Sequence, residues 1–263
     1  MSRRLIGVGV GPGDPDLITV KAVQVLDSAD LVLLPTMDAG AAGAAGRAER
    51  TVRAHVSHER LQRLSFALNE RTDRGRREAA WDAAGAAVVA AFHRVAVSGT
   101  AAAPGTAAVS GTAAVTVAFA TIGDPNVYST FSYLAATVRR LLPEVEVTTI
   151  PGITAMQHLA AAAGVPLVEG EETLTLYPLT AGLPGYREAL RRSDTVVAYK
   201  GGRHLPDVVA VLREEGRLPA AVVGAGLGLP GQSVIAAAQV STELPYLSTV
   251  LAPPGRRTRG GRL

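Results

Sequence analysis

The sequence predicts an α/β protein with two lobes, and three patterns along its 263 residues support this prediction. Short apolar runs alternate with segments of helical periodicity, as in parallel sheets whose strands are joined by helices. This alternation occurs in both halves of the chain. A Gly-Asp-Pro turn also follows a predicted strand in each half, at residues 13–15 and 123–125. We therefore predict an N-terminal α/β domain over residues 1–119 and a C-terminal α/β domain over residues 120–263.

The N-terminal domain begins with a predicted β-α-β unit, which favours a parallel sheet. "LIGVGV" is typical of a buried strand, and "LVLLP" of a second one. Asp14 and Pro15 suit the N-cap and the first position of a helix over "PDLITVKAVQVLDSAD". The following Arg-rich stretch predicts helices over residues 60–68 and 77–92. Residues 98–111 are low in complexity, and we expect a flexible surface insertion there.

The C-terminal half repeats this organisation. "VTVAFATIG" and "VEVTTIPG" predict strands, each followed by a helix, over "DPNVYSTFSYLAATVRRLL" and "ITAMQHLAAAAG". Gly164 suits the end of the second helix. Four further strands are predicted at "TLTLYPL", "TVVAYKGG", "AAVVGAG" and "YLSTVLAP", with a helix at "LPDVVAVLREEG". The Arg-rich tail "GRRTRGGRL" is expected to fray, because it has nothing to bury.

Composition excludes several classes of function. The net charge of +3, from 26 basic and 23 acidic residues, is too small to indicate nucleic-acid binding, although a local Arg cluster could bind an acidic small molecule. The chain has no cysteine, and its five histidines form no HExxH pair, so we predict no metal site. Glycines interrupt the apolar N-terminus, and no apolar run approaches the roughly 20 residues of a membrane helix. We expect a soluble, cytoplasmic protein.

The glycines after the first strand do not form a known phosphate-binding motif. No register of residues 7–14 gives Gly-x-Gly-x-x-Gly, and no acidic residue ends the second strand. A Gly-Lys-Ser/Thr loop and a Gly-x-Ser-x-Gly elbow are also absent from the sequence. A single Gly-Asp-Pro is typical of a capped turn. Both copies follow strands, however, where ligands bind in open α/β sheets.

Three segments resemble the tetrapyrrole methylases: "VGVGPGDPDLITVKAVQVLDSADLVLLP", "TIGDPNVYSTFSYL" and "TTIPGITAMQHLAAAAGVPLVEGEETLTLYP". The resemblance extends from Leu5 to about Pro253. "GDPxxYSTxxYL" followed by "GEETL" is similar to the precorrin-2 C20-methyltransferases of cobalamin synthesis. The resemblance implies S-adenosylmethionine as cofactor, with S-adenosylhomocysteine as its product. It also implies two α/β domains with the cofactor in the cleft between them, and a homodimer.

The resemblance also implies a set of cofactor-binding residues, which would curl backbone around a bent ligand rather than cradle phosphates. Tyr199 and Lys200 depart from the methionine usual in relatives. Thr154 could instead cap a helix, and Ala225 could simply pack. The full set is Pro12, Ile122, Gly123, Asp124, Val127, Ser129, Thr130, Thr154, Ala155, Tyr199, Lys200, Ala225 and Gly226.

The implied reaction moves a methyl group to the C20 bridge carbon of precorrin-2 or its cobalt-containing counterpart. Alignment and exclusion of water can supply most of the catalysis. Asp14 and Tyr128 are the nearest polar candidates to accept the departing proton. Alternatively, Asp14 could be only a helix cap and Tyr128 only a packed ring. Because the substrate is rich in carboxylates, arginine is the expected partner. Arg47, Arg50 and Arg53 are the candidates, unless they form a solvated helix face.

Other functions of the same fold stay open from the sequence. The chain could methylate a different tetrapyrrole position, ribosomal RNA, or a modified histidine on a translation factor. The mild net charge and the lack of interleaved aromatic and basic residues speak against RNA. A cofactor-binding sensor or scaffold without turnover is a further alternative.

Overall fold

The computed structural model describes residues 2–36, 45–66, 74–100 and 114–256. Its first sheet has five strands in the order β3-β2-β4-β1-β5, and every neighbouring pair is parallel. The predicted parallel sheet is therefore confirmed. The strands are β1 (Arg3–Gly9), β2 (Leu31–Thr36), β3 (Leu61–Ser65), β4 (Val115–Thr121) and β5 (Glu146–Ile150).

Four helices cover the two faces of this sheet: α1 (Val20–Ser28), α2 (Arg47–Arg53), α3 (Arg74–Thr100) and α4 (Phe131–Leu141). Alternate residues of each strand face opposite cores, as the pleat requires. Val8 and Leu34 pack with α1 and α2, whereas Leu5, Leu33 and Phe119 pack with α3 and α4. The sheet is thus buried on both sides, which explains the continuous apolar runs of β1, β2 and β4.

The second sheet also has five strands, in the order β6-β7-β10-β8-β9, and only β6 and β7 are parallel. Its strands are β6 (Leu174–Pro178), β7 (Thr195–Tyr199), β8 (Val222–Ala225), β9 (Ser233–Ala236) and β10 (Thr249–Ala252). The helices are α5 (Ala155–Ala163), α6 (Leu183–Arg192) and α7 (Leu205–Glu214). The sequence prediction missed β9 and α6; Gly164 ends α5 as predicted, with a φ of 64°.

Packing divides the chain into Met1–Thr154 (unit 1) and Ala155–Leu263 (unit 2). The predicted boundary at residue 119/120 is therefore too early. The physical reason is strand pairing: β4 and β5 both hydrogen-bond to β1, so residues 115–150 complete the first sheet.

Two predicted segments differ in structure. Residues 61–65 form strand β3 rather than part of a helix, because they pair in parallel with Val32–Thr36 of β2. Helix α3 continues through Thr100, so the first three residues of the predicted insertion are helical. Residues 101–113 lie outside the described residues, and the rest of that prediction stays open.

The predicted first helix is split in two. Asp14 caps a short 3₁₀ turn over Pro15–Leu17 by accepting a hydrogen bond from the Asp16 amide at 3.0 Å. Helix α1 then begins at Val20 with its own N-cap, Thr19, whose hydroxyl accepts from the Ala22 amide. The predicted cap is present, but it belongs to the turn and not to the helix.

The start of the C-terminal tail does not fray as predicted. The Arg256 guanidinium forms ion pairs with Glu172 and Glu169 and donates to the Pro166 carbonyl. A buried carboxylate, Glu172, thus holds an arginine that composition alone assigned to solvent. Residues 257–263 lie outside the described part of the chain.

A tight contact between α3 and α4 provides a test of this fold. A methyl group added at Gly85 would lie 2.3 Å from Cγ2 of Thr137. Alanine is a better helix former than glycine by about 1 kcal/mol. We nevertheless expect Gly85→Ala to lower the free energy of unfolding by about 1–3 kcal/mol because of overpacking.

Chemical denaturation measures this loss. Combining the substitution with Thr137→Ser, which removes the obstructing methyl group, should recover much of the stability. A Gly85→Ala protein more stable than the parent would show that the two helices do not pack this closely.

Candidate functional site

The order of the strands in unit 1 creates a topological switch point at the carboxyl edge of the first sheet. Neighbouring strands β1 and β4 lead to helices on opposite faces, α1 and α4 respectively. The chain then continues from β1 to β2 on one side and from β4 to β5 on the other. Such a switch point is where open α/β sheets bind their ligands. The loops after β1 and β4 are those that carry the two Gly-Asp-Pro turns.

Three of the loops that the structure describes meet at this edge: the first loop (residues 10–14), the second loop (122–130) and the third loop (151–154). The Gly123 amide donates to the Gly11 carbonyl at 2.8 Å. A Cβ at Gly9 would lie 2.6 Å from the Gly123 carbonyl oxygen, and a Cβ at Gly152 would lie 2.2 Å from the same atom. Real side chains cannot approach a backbone this closely. The three loops therefore require glycine at residues 9 and 152.

Position 123 requires glycine for a different reason. Its φ of 69° is left-handed, which glycine adopts without strain. A Cβ there would meet only the Cα of Thr154, at 3.9 Å. The missing side chain leaves open space beside the second loop.

Two side chains fix the second loop internally. The Asp124 carboxylate accepts hydrogen bonds from the amides of Asn126 (2.7 Å) and Gly152 (3.0 Å). The Ser129 hydroxyl accepts from the Phe131 amide at 3.1 Å and bonds to the Thr121 hydroxyl at 3.0 Å. Both side chains thus hold the backbone in place. The groups of this loop that are available to a ligand are therefore mainly main-chain groups.

The structure brings the other predicted cofactor residues of unit 1 to the same loops. Pro12 is buried in the first loop, and Ile122 and Val127 are partly buried in the second. Thr130 directly precedes α4 without a side-chain capping bond. Thr154 is buried at the end of the third loop. All of these residues lie at the carboxyl edge of the first sheet.

The predicted residues of unit 2 lie at one edge of the second sheet. Strands β7 and β8 both run antiparallel to β10, so their carboxyl ends share an edge, on either side of Thr249. This edge carries Tyr199, Lys200, Ala225 and Gly226. Ala155 starts α5 and packs in the same apolar cluster as Tyr199. Lys200 and Gly226 are left-handed, with φ of 62° and 61°.

The two candidates for the departing proton differ in their surroundings. Asp14 caps the 3₁₀ turn, which favours the interpretation of Asp14 as only a cap over a role in proton removal. Tyr128 is 41% exposed and lies in the second loop. Partial burial raises the pKa of its phenol above the ordinary value, so the hydroxyl stays protonated. A neutral phenol is a hydrogen-bond donor and a poor base.

Helix α2 is fastened to the first loop. The Thr51 hydroxyl donates to the Gly13 carbonyl at 3.4 Å, and the His55 ring bonds to the Pro15 carbonyl at 2.9 Å. Arg47 lies one helical turn before Thr51 and therefore on the same face. Burial, and then repulsion from Arg50, lower the pKa of the Arg47 guanidinium. Within the described ranges, no carboxylate lies within ion-pair distance of Arg47 or Arg50.

Arg53 does not belong with them. Its guanidinium pairs with the Glu49 carboxylate at 2.5 Å, and Arg63 of β3 pairs with the same carboxylate at 2.9 Å. Glu49 is only 4% exposed. Burial alone would raise the pKa of Glu49, but hydrogen bonds from Arg63 and Arg53 lower it below the ordinary value. Arg53 thus shares a buried carboxylate with Arg63, and this pairing favours a role in the fold over the predicted contact with the substrate.

The structure adds residues that sequence reasoning missed. Gly9 and Gly152 fix the approach of the loops, and Thr51 and His55 fix α2. The sequence analysis selected Thr154 from the "PGIT" turn and did not select Gly152 of the same turn. Among the residues that the structure describes, no group of three or more His, Asp or Glu side chains could hold a metal ion, and no helix is long and apolar enough to cross a membrane.

Comparison with known proteins gives consistent matches. The family model "Tetrapyrrole (Corrin/Porphyrin) Methylases" matches residues 4–239. A precorrin-2 C(20)-methyltransferase of Sinorhizobium sp is 32% identical over 251 residues, which cover 95% of each chain. A cobalt-precorrin-2 C(20)-methyltransferase of Salmonella typhimurium is 28% identical over 254 residues, 95% of this chain and 96% of that one.

A solved structure shares the fold. The uroporphyrin-III C-methyltransferase of Thermus thermophilus, determined in complex with S-adenosylhomocysteine, superimposes with a TM-score of 0.57. Its sequence is 20% identical, and the match covers 95% of this chain and 97% of that one. The expected methylase fold is confirmed by this likeness.

The hydrogen bonds of Asp124 yield a prediction. Asp124→Ala removes the two carboxylate oxygens that accept hydrogen bonds from the Asn126 and Gly152 amides. We expect the free energy of unfolding to fall by about 1–3 kcal/mol. Asp124→Asn keeps one acceptor oxygen and should lose less. Asp16→Ala, at an exposed carboxylate of the neighbouring 3₁₀ turn, is the matched control. Equal denaturation midpoints for Asp124→Ala and Asp16→Ala would contradict the proposed fixing of the loop.

Proposed function

The chain belongs to the tetrapyrrole methylase family, and on that premise we propose that it methylates C20 of precorrin-2 or of its cobalt-containing counterpart in cobalamin biosynthesis. The observation that carries the proposal is the identity of 32% over 95% of a precorrin-2 C(20)-methyltransferase. The switch point between β1 and β4, at the carboxyl edge of the first sheet, supplies the structural support. S-adenosylmethionine is the proposed methyl donor.

The residues present fit such a donor. The space left by the missing side chain of Gly123 adjoins Thr154, and the flanking main chain is fixed by Asp124 and Ser129. Main chain that is held in this way can approach a bent ligand closely, and it needs no cluster of positive charge. The unit 1 residues proposed to hold the donor are Pro12, Ile122, Gly123, Asp124, Val127, Ser129, Thr130 and Thr154. The roles of Ala155, Tyr199, Lys200, Ala225 and Gly226 stay a prediction.

When bound, the cofactor supplies a methyl group on a positively charged sulfur, which is a good leaving group. The protein's own contribution is then orientation. A rigid second loop would fix where the donor lies, because Asp124 accepts hydrogen bonds from the Asn126 and Gly152 amides and Ser129 accepts one from the Phe131 amide. Preorganisation of this kind can remove several kcal/mol from a barrier, on the order of 7 or more in the best cases.

The substrate is anionic, and Arg47 and Arg50 are suited to its carboxylates. Both lie on α2, which Thr51 fastens to the first loop. Their mutual repulsion would be relieved by an anion between them. Asp14 and Arg53 are omitted from the proposed site because each is engaged in the fold. We also propose that the protein is a homodimer in the cytoplasm.

Incubation with labelled S-adenosylmethionine and precorrin-2, with and without cobalt, tests the function. We expect one methyl group on C20, located by NMR of the product, and a rate difference between the two substrates that identifies the natural one. A label at another carbon would indicate a different methylase. Cofactor binding without any transfer would instead support a sensor or scaffold.

Substitutions of the α2 arginines distinguish an effect on substrate binding from an effect on folding. We expect Arg47→Ala to weaken tetrapyrrole binding about tenfold or more, which is the effect of losing a desolvated, charge-assisted contact of roughly 1.5–3 kcal/mol. Arg50→Ala should have a smaller effect because Arg50 is exposed. Added salt should weaken binding in the parent more than in Arg47→Ala.

Arg53→Ala is the matched control on the same helix. It breaks the pair with Glu49 and should lower the denaturation midpoint, while the folded protein keeps its tetrapyrrole affinity. The measurements are absorbance titration with the tetrapyrrole and calorimetric titration with S-adenosylmethionine. If Arg47→Ala and Arg53→Ala bind the tetrapyrrole equally well, α2 is not part of the substrate site.

A further inference from the structure

Strands β8 and β9 pair with each other and are joined by residues 226–232, which we call the hairpin loop. Three of its residues are glycines with a left-handed φ: 61° at Gly226, 71° at Gly228 and 80° at Gly231. Glycine loses more conformational freedom on folding than any other residue, so this segment needs contacts that hold it in one conformation. The hairpin loop begins at the edge of the second sheet where Ala225 and Gly226 are predicted to contact the cofactor.

The side chain of Gln232, at the end of the hairpin loop, supplies such a contact. Its Oε1 accepts a hydrogen bond from the Gly228 amide at 3.0 Å. The same oxygen lies 2.8 Å from Nε2 of His158, on α5. A main-chain amide can only donate, so its partner must be the side-chain oxygen, and His158 must then donate to that oxygen as well. Gln232 thus joins the middle of the hairpin loop to a helix.

Apolar packing holds the first half of the hairpin loop. Leu227 is buried in one apolar cluster with Leu159, which follows His158 on α5. A Cβ at Gly224 of β8 would lie 2.7 Å from the Leu227 side chain and 2.8 Å from that of Leu159. The two leucines therefore occupy the space that a side chain at residue 224 would fill. The hairpin loop thus shares an apolar cluster with α5 and is also hydrogen-bonded to that helix.

We infer that His158 and Gln232 are positioning residues for S-adenosylmethionine, because they hold the hairpin loop in the conformation in which its main chain binds the cofactor. This inference rests on the proposed function and on the predicted contacts of Ala225 and Gly226. Gln232 lies next to Gly226, since a Cβ at Gly226 would lie 3.7 Å from the Gln232 Cα. The second loop is held in a similar way, by an Asp124 carboxylate that accepts from two main-chain amides. In both loops a polar side chain fixes main chain that is proposed to bind the ligand.

Gln232→Ala removes the oxygen that the Gly228 amide and the His158 ring share. The glycines then leave the hairpin loop free to adopt other conformations, and the apparent affinity falls with the fraction of molecules that keep the binding conformation. If that fraction is about one tenth, calorimetric titration should show S-adenosylmethionine binding weakened about tenfold. We expect the KM for S-adenosylmethionine to rise by a similar factor and kcat to change by less than about twofold, because the bound cofactor orders the loop again.

Further variants test how the two side chains act. Gln232→Glu keeps an oxygen at the end of the side chain and should keep most of the affinity, whereas a direct contact of the glutamine NH₂ group with the cofactor would be lost. His158→Ala removes one of the two hydrogen bonds and should weaken binding less than Gln232→Ala does. The double variant should bind no more weakly than Gln232→Ala, because both substitutions act through the same oxygen. Gln239→Ala, at an exposed glutamine of the same unit, is the matched control and should bind like the parent.

Hydrogen exchange at the Gly228 amide measures the order of the hairpin loop without any ligand, and we expect faster exchange in Gln232→Ala. Three outcomes would overturn the inference: unchanged exchange in Gln232→Ala, faster exchange with S-adenosylmethionine affinity within about twofold of the parent, or weak binding by Gln232→Glu although its Gly228 exchange matches the parent. A parent protein that does not bind S-adenosylmethionine would refute the proposed function, and the inference with it, whatever the exchange at Gly228.

Discussion

The close approach of main chain at Gly9, Gly123 and Gly152 is the constraint on which the rest of unit 1 depends. The Gly123 carbonyl lies where a side chain at either of the other two positions would have to be. This contact joins the loops after three adjacent strands, β4, β1 and β5. Because the strands are parallel, their loops emerge at one edge, and the glycines allow those loops to close on one another. The glycine contacts thus fix the loops at the switch point between β1 and β4.

Charge in unit 1 is arranged around the same framework. Glu49 is buried and pairs with both Arg53 and Arg63, which ties α2 to the edge strand β3. Thr51 ties α2 to the first loop. The positive charge of Arg47 and Arg50 then lies on a helix that these contacts hold in place. Glu49 thus engages Arg53 of α2 and Arg63 of β3, and the proposed substrate contacts, Arg47 and Arg50, lie on the same helix as Arg53.

Much of this could be predicted from the sequence, and the failures have identifiable causes. The strand and helix types from β4 to α5 were predicted because their periodicity is regular and glycines mark their ends. Residues 61–65 were predicted as helix, since a short edge strand rich in polar residues shows its β character only when paired with β2. The domain boundary was placed too early for the same reason: strand order is a long-range property. Arg53 resembled Arg47 in the sequence, and only the position of Glu49 distinguishes them. Gly9 and Gly152 carry no local signal of the contact they permit.

A crystal structure of the protein with S-adenosylhomocysteine would show whether the three loops form the cofactor site before the ligand binds. The account predicts that the ligand contacts the main chain of residues 122–127 and occupies the space beside Gly123 and Thr154. The hydrogen bonds from Asp124 to the Asn126 and Gly152 amides should be unchanged on binding. A ligand bound away from these loops, or a second loop that rearranges to receive it, would contradict the claim that glycine contacts preform the site.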